Sequence, residues 1–439
     1  MYDYKYEPHR LIFMIDMKSF YASCEAIRLG LNPMKAELVV MSRPKGSTFN
    51  SGLIMASSPM AKKKYGIKNV MRGRDLPSLK DAKNLKIIDP HMNLYIKKSM
   101  EVIKIFEKYA AREDIHVYSI DESMIDMTKS WHLFGKDPYL VARKIQKDIR
   151  ATLGLYTTCG IGENPLLAKF AMDIEAKHNY SLIAQWHYID VPDKIWPISD
   201  MESVWGIGKR TAAHLKRLGI TNMYQLAHTK PSILKKEFGV IGEQLFAMSW
   251  GVDRSIISHK YIPRAKSYSN SQVLPRDYYK QKEIEVVIRE IGEQVAARIR
   301  AHNLKAGKVS LMIGYSFAAL DYEPQRNGFN VQRKIVSTSS NTDLVANLIS
   351  IFRDNWEQVP VRHIGVEYGN LSPDTSQQFS LFKNPQQEIN QRTLDITVDK
   401  LRKKYGFKSV MKASSLMKGA TALHRSGLVG GHNGGNAYE

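Results

Sequence analysis

The chain has 439 residues, and its 64 Lys and Arg against 43 Asp and Glu give a formal net charge of +21. A surplus of this size favours a polyanionic partner, of which nucleic acid is the first candidate. Two cysteines are too few for a disulfide scaffold or a Cys-rich zinc site, and no apolar run is long enough for a secretory signal or a membrane span. The composition therefore predicts a soluble, cytoplasmic protein of about two to four domains.

The first half of the chain predicts a mixture of strands and helices. Residues 11–15 are continuously apolar, as expected of a strand that is buried on both faces, and Asp16 closes that run. A second strand is predicted to end at Asp121, with a partner strand directly after it. The predicted strands are 11–15, 117–120, 123–127 and 157–162, and the predicted helices are 19–29, 139–153 and 166–178.

The second half begins with a compact helical region, predicted from about residue 205 to residue 251. A linker rich in Arg, Lys and Ser separates it from a mixed α/β block. Beyond residue 372 the periodicity is lost except in one helical stretch, and the Gly-rich residues 427–435 are expected to be mobile. The predicted helices of this half are 282–302 and 386–404, and the predicted strands are 309–315, 331–336 and 363–368.

Acidic residues follow two of the predicted strands. Asp16 ends one strand, and Asp121 and Glu122 follow another. Carboxylates at adjacent strand ends can converge, and their oxygens suit Mg²⁺, which leaves room for substrate phosphates. Two such ions, about 3.5–4 Å apart, clamp the attacking and leaving oxygens of a phosphoryl transfer. The alternative is that each acid only caps a strand end for solubility.

The residues around these acids match two motifs of a known enzyme family. Residues 13–25 (FMIDMKSFYASCE) resemble the first catalytic motif of the Y-family, or translesion, DNA polymerases, and residues 118–123 (YSIDES) resemble their second, S-I-D-E motif. The resemblance is closest to the UmuC/ImpB-like bacterial branch and extends to about Gly406. It implies an α+β multidomain fold: a right-hand polymerase with a ferredoxin-like palm, small fingers, a helical thumb with a helix-hairpin-helix, and an α/β little finger.

The resemblance also implies an activity and its partners. The expected function is error-prone, template-directed nucleotidyl transfer past damaged DNA, without 3′–5′ proofreading, as part of a damage response of the SOS type. No segment large enough for an exonuclease domain is left over. Primer-template DNA and dNTPs would be the substrates, and two Mg²⁺ ions, replaceable by Mn²⁺, the cofactors. The protein is expected to be a monomer without membrane association, in the cytoplasm and at the nucleoid when active.

Roles for individual residues at the acidic site follow from the same resemblance. Asp16 and Asp121 would bridge both metal ions, and Glu122 would complete the site of the catalytic ion. The backbone carbonyl of Met17 would bind the ion that accompanies the nucleotide. Phe20 and Tyr21 match the pair beneath the incoming sugar, with Tyr21 as the steric gate, because an aromatic ring against C2′ leaves no space for a 2′-hydroxyl. Composition alone would make both rings core aromatics.

Three further residues are predicted to contact the triphosphate. Residues 56–67 align with the fingers segment of the family, which assigns Ser57 as a hydroxyl contact and Lys63 as the basic contact. The segment departs from the common pattern, since Met60 replaces a frequent Tyr and Lys63 a frequent Arg, and Lys offers no bidentate fork. Lys177 matches a lysine that reaches the triphosphate. The alternatives are a solvated face for the lysine run and a helix-dipole complement for Lys177.

Two more motifs indicate contacts with macromolecules. Gly206, Gly208, Lys209 and Arg210 resemble the hairpin of a helix-hairpin-helix, in which free backbone N–H groups face a DNA phosphate. A plain interhelical turn is the alternative. The pentapeptide Gln378-Phe379-Ser380-Leu381-Phe382 is similar to the motif that binds the bacterial sliding clamp (beta), with a Leu-Phe anchor for a partner groove.

The domain boundaries implied by the resemblance complete the prediction. They are 1–24 and 89–186 for the palm, 25–88 for the fingers, 187–251 for the thumb, 252–266 for a linker, 267–368 for the little finger and 369–439 for a tail with the clamp motif. Two other functions remain open at this point. A nucleotide cyclase shares a two-metal palm but needs no hairpin or clamp peptide. A DNA-binding scaffold with a degenerate site is disfavoured because all three acids are present.

Overall fold

The computed structural model describes residues 2–43, 49–77, 82–263, 265–322, 326–375 and 384–434. The chain divides into two compact units, one formed by Met1–Ser42 with Leu53–Tyr261 and the other by Arg43–Gly52 with Ile262–Glu439. Both units combine helices with sheets, which confirms the predicted α+β class. Across the described ranges, no helix is both long and apolar enough to cross a membrane.

The first unit contains two sheets and ten α-helices within its described residues. The strands are β1 (Ile12–Met17), β2 (Leu38–Ser42), β3 (Leu53–Ser57), β4 (Lys86–Ile88), β5 (Ile115–Val117), β6 (Glu122–Asp126), β7 (Thr157–Gly162) and β8 (Ile183–Trp186). The helices are α1 (Phe20–Arg28), α2 (Pro59–Tyr65), α3 (Met92–Phe106), α4 (Pro138–Leu153), α5 (Pro165–Phe170), α6 (Val191–Lys194), α7 (Lys209–Arg217), α8 (Met223–His228), α9 (Pro231–Phe238) and α10 (Val240–Ser249).

The larger sheet of this unit has the strand order β5-β6-β1-β7-β8. β1 is central and pairs antiparallel with both β6 and β7. Its residues 12–15 are at most 1% exposed. The strand predicted from the apolar run is confirmed, because a central strand that is covered on both faces has no solvent side on which polar residues could alternate.

The strand predicted at 117–120 lies earlier in the chain. β5 ends at Val117, and Glu122 opens β6, so that Asp121 belongs to the turn between them. The Ser119 hydroxyl accepts hydrogen bonds from the backbone N–H groups of Asp121 (3.3 Å) and Glu122 (3.1 Å). Such side-chain bonds to the backbone compete with a strand ladder, and they hold these residues in a turn.

The smaller sheet has the order β3-β2-β4 and lies in the predicted fingers segment. β2 pairs antiparallel with β3 and parallel with β4. The Ser58 hydroxyl caps α2 by accepting from the N–H of Ala61 at 3.2 Å, and Pro59 is the first helical residue. A Ser cap followed by Pro is a strong helix start, so the sequence sets where the lysine-bearing helix α2 begins.

The helix predicted at 166–178 is present, but half of it is not α-helical. α5 is capped by Asn164, whose side chain accepts from the N–H of Leu167 at 2.8 Å, and it continues as a π-helical turn over Ala171–Ala176. The N–H of Lys177 donates to the carbonyl of Met172 at 3.1 Å, a bond that spans five residues. A π-turn inserts one residue into a helix and often occurs at functional sites.

The predicted helical region at 205–251 is confirmed and contains α7 to α10. Its core includes Leu215, Met223, Leu226 and Leu234, of which none is exposed. These residues come from three helices of six to nine residues, each too short to be stable alone, so that mutual packing stabilises the region.

The second unit has one large sheet, with the order β11-β10-β12-β9 and antiparallel pairing throughout. The strands of the unit are β9 (Tyr268–Tyr278), β10 (Leu304–Tyr315), β11 (Gly328–Thr338), β12 (Val361–Pro373), β13 (Leu428–Val429) and β14 (His432–Asn433). The helices are α11 (Gln281–Ala301), α12 (Asn341–Asn355), α13 (Pro385–Tyr405) and α14 (Ala422–Arg425). α11 and α12 share a buried core with the sheet. α12 was not predicted, and β12 extends five residues beyond the expected end of the little finger at 368.

The end of the chain is folded over its described part, residues 384–434. The predicted helix at 386–404 is confirmed as α13. Within the Gly-rich end, residues 428–433 pair as the hairpin β13-β14. The segment before this hairpin makes long-range contacts with α11, since the N–H groups of Thr421 and Ala422 each donate to the Glu290 carboxylate at 2.9 Å.

Candidate active site

The strand pairing brings the three predicted catalytic acids together where β1 ends and β6 begins, at one end of the strands of the five-stranded sheet. Asp16 on β1 lies directly opposite Glu122 on β6 in the antiparallel register. The N–H of Met17 donates to the carbonyl of Asp121 at 2.9 Å, which fixes the turn beside β1. Two segments that are separated by about a hundred residues thus place Asp16, Asp121 and Glu122 together, as the motifs predicted.

The electrostatics agree with this proximity. The pKa of Asp16 is raised to about 6, chiefly by burial, with the charges of Glu122 and Asp121 acting in the same direction and Lys177 opposing them. A carboxylate whose pKa is raised by two other acids is close to both of them. The site therefore concentrates negative charge in a buried position, which is the environment that attracts divalent cations.

The acids have nearby partners that the sequence analysis did not identify. The Ser119 hydroxyl donates to Asp121 Oδ1 at 2.7 Å. Lys169 Nζ lies 2.7 Å from Glu122 Oε1, and its side chain is only 6% exposed. Across the described part of the chain, no three His, Cys, Asp or Glu side chains are arranged closely enough to hold a metal ion as they stand. The three acids supply suitable ligand atoms, but their side chains point to these partners.

Lys177, predicted to reach the triphosphate, lies at the same site. Its Nζ is 2.9 Å from Asp16 Oδ2 and 2.8 Å from Asp173 Oδ1. Burial by itself lowers the pKa of Lys177, but the two carboxylates outweigh this effect and raise it well above its ordinary value. Lys177 is therefore a fixed positive charge beside the predicted catalytic acids.

The two aromatic residues of the first motif occupy different environments. Phe20 is buried, with 2% exposure, whereas Tyr21 is only half-buried. The ring of Tyr21 stacks on that of Tyr95, with centroids 4.4 Å apart and planes at 16°. Burial raises the pKa of Tyr21, and the charge of Asp121 raises it further, so the phenol lies near the acids. Only Tyr21 of this pair presents a surface beside the site.

Tyr95 is itself held by a buried network that has no counterpart in the sequence analysis. Its hydroxyl donates to Glu25 Oε1 at 2.6 Å, and Glu25 is completely buried. His91 Nδ1 lies 2.8 Å from the same oxygen, and Arg28 Nε donates to the other at 2.8 Å. A fully bonded buried carboxylate of this kind keeps its neighbours in one geometry.

The fingers residues are placed less simply. Lys63 is exposed on α2, whereas Ser57 is completely buried and its hydroxyl has no hydrogen-bond partner among the described residues. The neighbouring Lys62 is also exposed on α2. Partial burial lowers its pKa, and the charge of Asp16 acts in the opposite direction. Lys62 therefore lies within the electrostatic influence of Asp16, whereas Ser57 is kept away from solvent.

The predicted hairpin is a sharp, exposed turn at the start of α7. Gly206 has a φ of +91°, a conformation that side chains rarely adopt. A side chain added at Gly208, which precedes α7, would meet nothing within 4 Å, so the backbone there is open to solvent. Lys209 and Arg210 are both exposed in the first turn of α7. The clamp motif, Gln378 to Phe382, lies outside the described residues.

Comparison with known proteins gives consistent matches over the whole chain. The impB/mucB/samB family matches residues 15–173, and the C-terminal domain of that family matches residues 265–381. A Bacillus subtilis (strain 168) protein named as the UV-damage repair protein UvrX is 38% identical over 98% of this chain and 100% of its own length. DNA polymerase IV 2 of the same organism is 33% identical over 96% of this chain and 98% of its own.

A third relative and one solved structure extend these matches. DNA polymerase IV of Moorella thermoacetica is 31% identical over 94% of this chain and 98% of its own length. A Y-family DNA polymerase chimera of Dbh and Dpo4 has a TM-score of 0.66 at 21% sequence identity, covering 83% of this chain and 99% of the chimera. This structural likeness confirms the predicted polymerase fold.

Proposed function

We propose that this chain, which belongs to the UmuC/ImpB-like branch of the Y-family translesion DNA polymerases, performs its nucleotidyl transfer at Asp16, Asp121 and Glu122. As a member of that family it is a DNA-directed DNA polymerase for translesion synthesis, with DNA and dNTPs as substrates and a metal-dependent reaction. The observation that supports this site most directly is the register of β1 and β6, in which Asp16 lies opposite Glu122 beside Asp121.

The donor atoms of this site fit two Mg²⁺ ions, with Mn²⁺ as a substitute. Asp16 and Asp121 would bridge the ions, Glu122 would complete one site, and the carbonyl of Met17 the other. When bound, the ions would neutralise charge on the attacking and leaving oxygens. The chain itself supplies the alignment, because β1 and β6 hold Asp16 and Glu122 on a rigid sheet and the adjoining turn holds Asp121, which reduces the entropy that is lost on reaching the transition state.

Tyr21 would select the sugar, and Phe20 would support it from the core. The contact with Tyr95 limits where the Tyr21 ring can move, so that the ring can exclude a 2′-hydroxyl by its volume. This assignment is supported by the contrast between the buried Phe20 and the half-buried Tyr21.

Lysines around the acids would bind the triphosphate. Lys177 and Lys63 are the residues that match the family motif. Lys62 is an additional candidate because the negative charge of Asp16 raises its pKa, against the effect of burial. Ser57 would contribute only if α2 and β3 rearrange on nucleotide binding, since its hydroxyl is buried. All three lysines act as point charges, which suits the flexible positions of a triphosphate chain.

DNA would be bound through its backbone and without sequence preference. Gly206 and Gly208 leave backbone N–H groups open at the start of α7, where Lys209 and Arg210 add charge. The protein would act as a monomer at the nucleoid, in the cytoplasm. The peptide from Gln378 to Phe382 would recruit it to the bacterial sliding clamp (beta), which would raise its local concentration at the primer end.

Primer extension on damaged and undamaged templates tests this proposal. The wild-type protein should add dNTPs opposite and beyond a damaged base in the presence of Mg²⁺ and should not remove a mismatched 3′ nucleotide. The Asp16→Asn variant, which retains the shape of the side chain, is the matched control and should be inactive. Cyclisation of a nucleoside triphosphate without DNA, combined with no primer extension, would instead indicate the cyclase alternative.

A further inference from the structure

Two lysines from one helical segment contact two of the proposed metal ligands. Lys177 Nζ lies 2.9 Å from Asp16 Oδ2, and Lys169 Nζ lies 2.7 Å from Glu122 Oε1. An ammonium group at this distance satisfies the same carboxylate oxygen that a divalent cation would need. Each lysine therefore competes with a metal ion for one oxygen of Asp16 or Glu122.

Asp173 lies between these lysines and contacts both. Its Oδ1 is 2.8 Å from Lys177 Nζ, and its Oδ2 is 3.2 Å from Lys169 Nζ. The five side chains form one chain of alternating charge, which runs in the order Asp16, Lys177, Asp173, Lys169, Glu122. Of the three acids in this row of five side chains, Asp173 alone is not assigned to a metal ion by the family motifs.

The π-helical turn explains how one helical segment can span both acids. Lys169, Asp173 and Lys177 are each four residues apart, and in a regular α-helix this spacing drifts by about 40° per step, since each residue advances about 100°. The turn over Ala171–Ala176 has more residues per turn and reduces the drift. The backbone thus keeps the three side chains in one row facing the strand ends.

We propose that Asp173 is a positioning residue that competes with Asp16 and Glu122 for the two lysines and so releases these carboxylates for metal binding. When Asp16 turns to a metal ion, Lys177 retains Asp173 as a partner and stays near the position proposed for the triphosphate. In the same way, Lys169 retains Asp173 as a partner when Glu122 turns to a metal ion. This inference rests on the metal ligands assigned under the proposed function.

The direct test is Mn²⁺ binding to the full-length protein without DNA or nucleotide, measured by electron paramagnetic resonance. Removing a residue that orients metal ligands typically weakens metal affinity by about tenfold or more, and Asp173→Asn should do the same here. In primer extension, the Mg²⁺ concentration for half-maximal rate should rise by more than kcat falls. A merely structural role would lower kcat and thermal stability without moving the Mg²⁺ dependence.

A second variant tests the same competition by removing a lysine instead of Asp173. Lys177→Met removes the ammonium group that pairs with Asp16, and it should therefore tighten Mn²⁺ binding. In a protein that carries both Lys177→Met and Lys169→Met, the further change Asp173→Asn should have no effect, because Asp173 acts through these two lysines. Weakening of Mn²⁺ binding by Asp173→Asn even in that background would show a general field effect and overturn the proposal.

Glu175→Gln is the matched control, because Glu175 lies in the same π-helical turn but pairs with Lys194 at 3.0 Å. It should leave Mn²⁺ affinity at the wild-type value. Wild-type affinity in Asp173→Asn, or unchanged affinity in Lys177→Met, would overturn the role of Asp173. The Asp16→Asn variant distinguishes a failure of the Asp173 proposal from a failure of the proposed function. If this variant binds Mn²⁺ as tightly as the wild type, the assignment of Asp16 as a metal ligand is itself wrong.

Discussion

The strands that carry the catalytic acids and the segment at 384–434 differ in what stabilises them. β1 is a continuous apolar run with its acid at the end, and its burial follows from its own composition. The C-terminal segment has few apolar residues in a regular pattern, and polar contacts with distant residues hold it in place. Tyr278 donates to the carbonyl of Gly419 at 2.8 Å, and Glu290 accepts from Thr421 at 2.9 Å. Local patterns therefore predict the first region, whereas in the second they predict only α13.

The largest expected effect tests the catalytic strands. Asp121→Asn or Glu122→Gln should abolish nucleotide addition, because each removes a charge that the metal ions need, while DNA binding should be largely retained. Primer extension measures the first result, and fluorescence anisotropy with a primer-template measures the second. Extension by Glu122→Gln near the wild-type rate would contradict the metal assignment.

The next effect concerns the sugar gate at the start of α1. Tyr21→Ala should raise incorporation of ribonucleotides relative to deoxynucleotides by about a hundredfold, the discrimination that a shaped pocket typically achieves against one added hydroxyl. The measurement is kcat/KM for a matched rNTP and dNTP pair on the same template. Phe20→Leu is the control, and it should alter the ratio less because Phe20 lies in the core. An unchanged ratio in Tyr21→Ala would exclude this residue as the gate.

The next prediction concerns stability and tests whether polar contacts hold the segment at 384–434 in place. Glu290→Ala should lower the free energy of unfolding by about 2–3 kcal/mol, because it leaves the buried N–H groups of Thr421 and Ala422 without their charged acceptor. Glu293→Ala, on the same helix, removes only the ion pair with the exposed Lys412 and should cost less than about 1 kcal/mol.

Urea denaturation gives both values for this pair of variants, and hydrogen exchange should localise the loss in Glu290→Ala to residues 419–425. Equal stabilities of the two variants would mean that the C-terminal segment does not depend on Glu290, and would weaken the contrast between the two regions.

The smallest effect is expected from the clamp motif, which lies between the little-finger sheet and α13. Replacing Leu381 and Phe382 with Ala should reduce the ratio of extension rates with and without a loaded bacterial sliding clamp to about one, because the motif acts by local concentration. The rate without the clamp serves as the internal reference. A mutant that is stimulated as strongly as the wild type would show that another surface binds the clamp.

The sequence alone determined the parts whose signals are local. Continuous apolar residues identify β1, and Gly206 with Gly208 identifies a sharp turn. The catalytic acids could be named because they adjoin such elements within recognisable motifs. Each of these features depends on neighbours within a few residues, where backbone geometry and burial leave a direct pattern in the sequence.

Only the tertiary structure decided which distant side chains meet. Lys169 and Asp173 lie on a helix whose π-turn no periodicity predicts, and their contacts with the acids depend on the packing of that helix against the sheet. Tyr95 reaches Tyr21 from a helix about seventy residues further along the chain, and Thr421 reaches Glu290 across 131 residues. Such contacts arise from the whole fold, because a buried charge or ring takes whichever partner the packed backbone brings within reach.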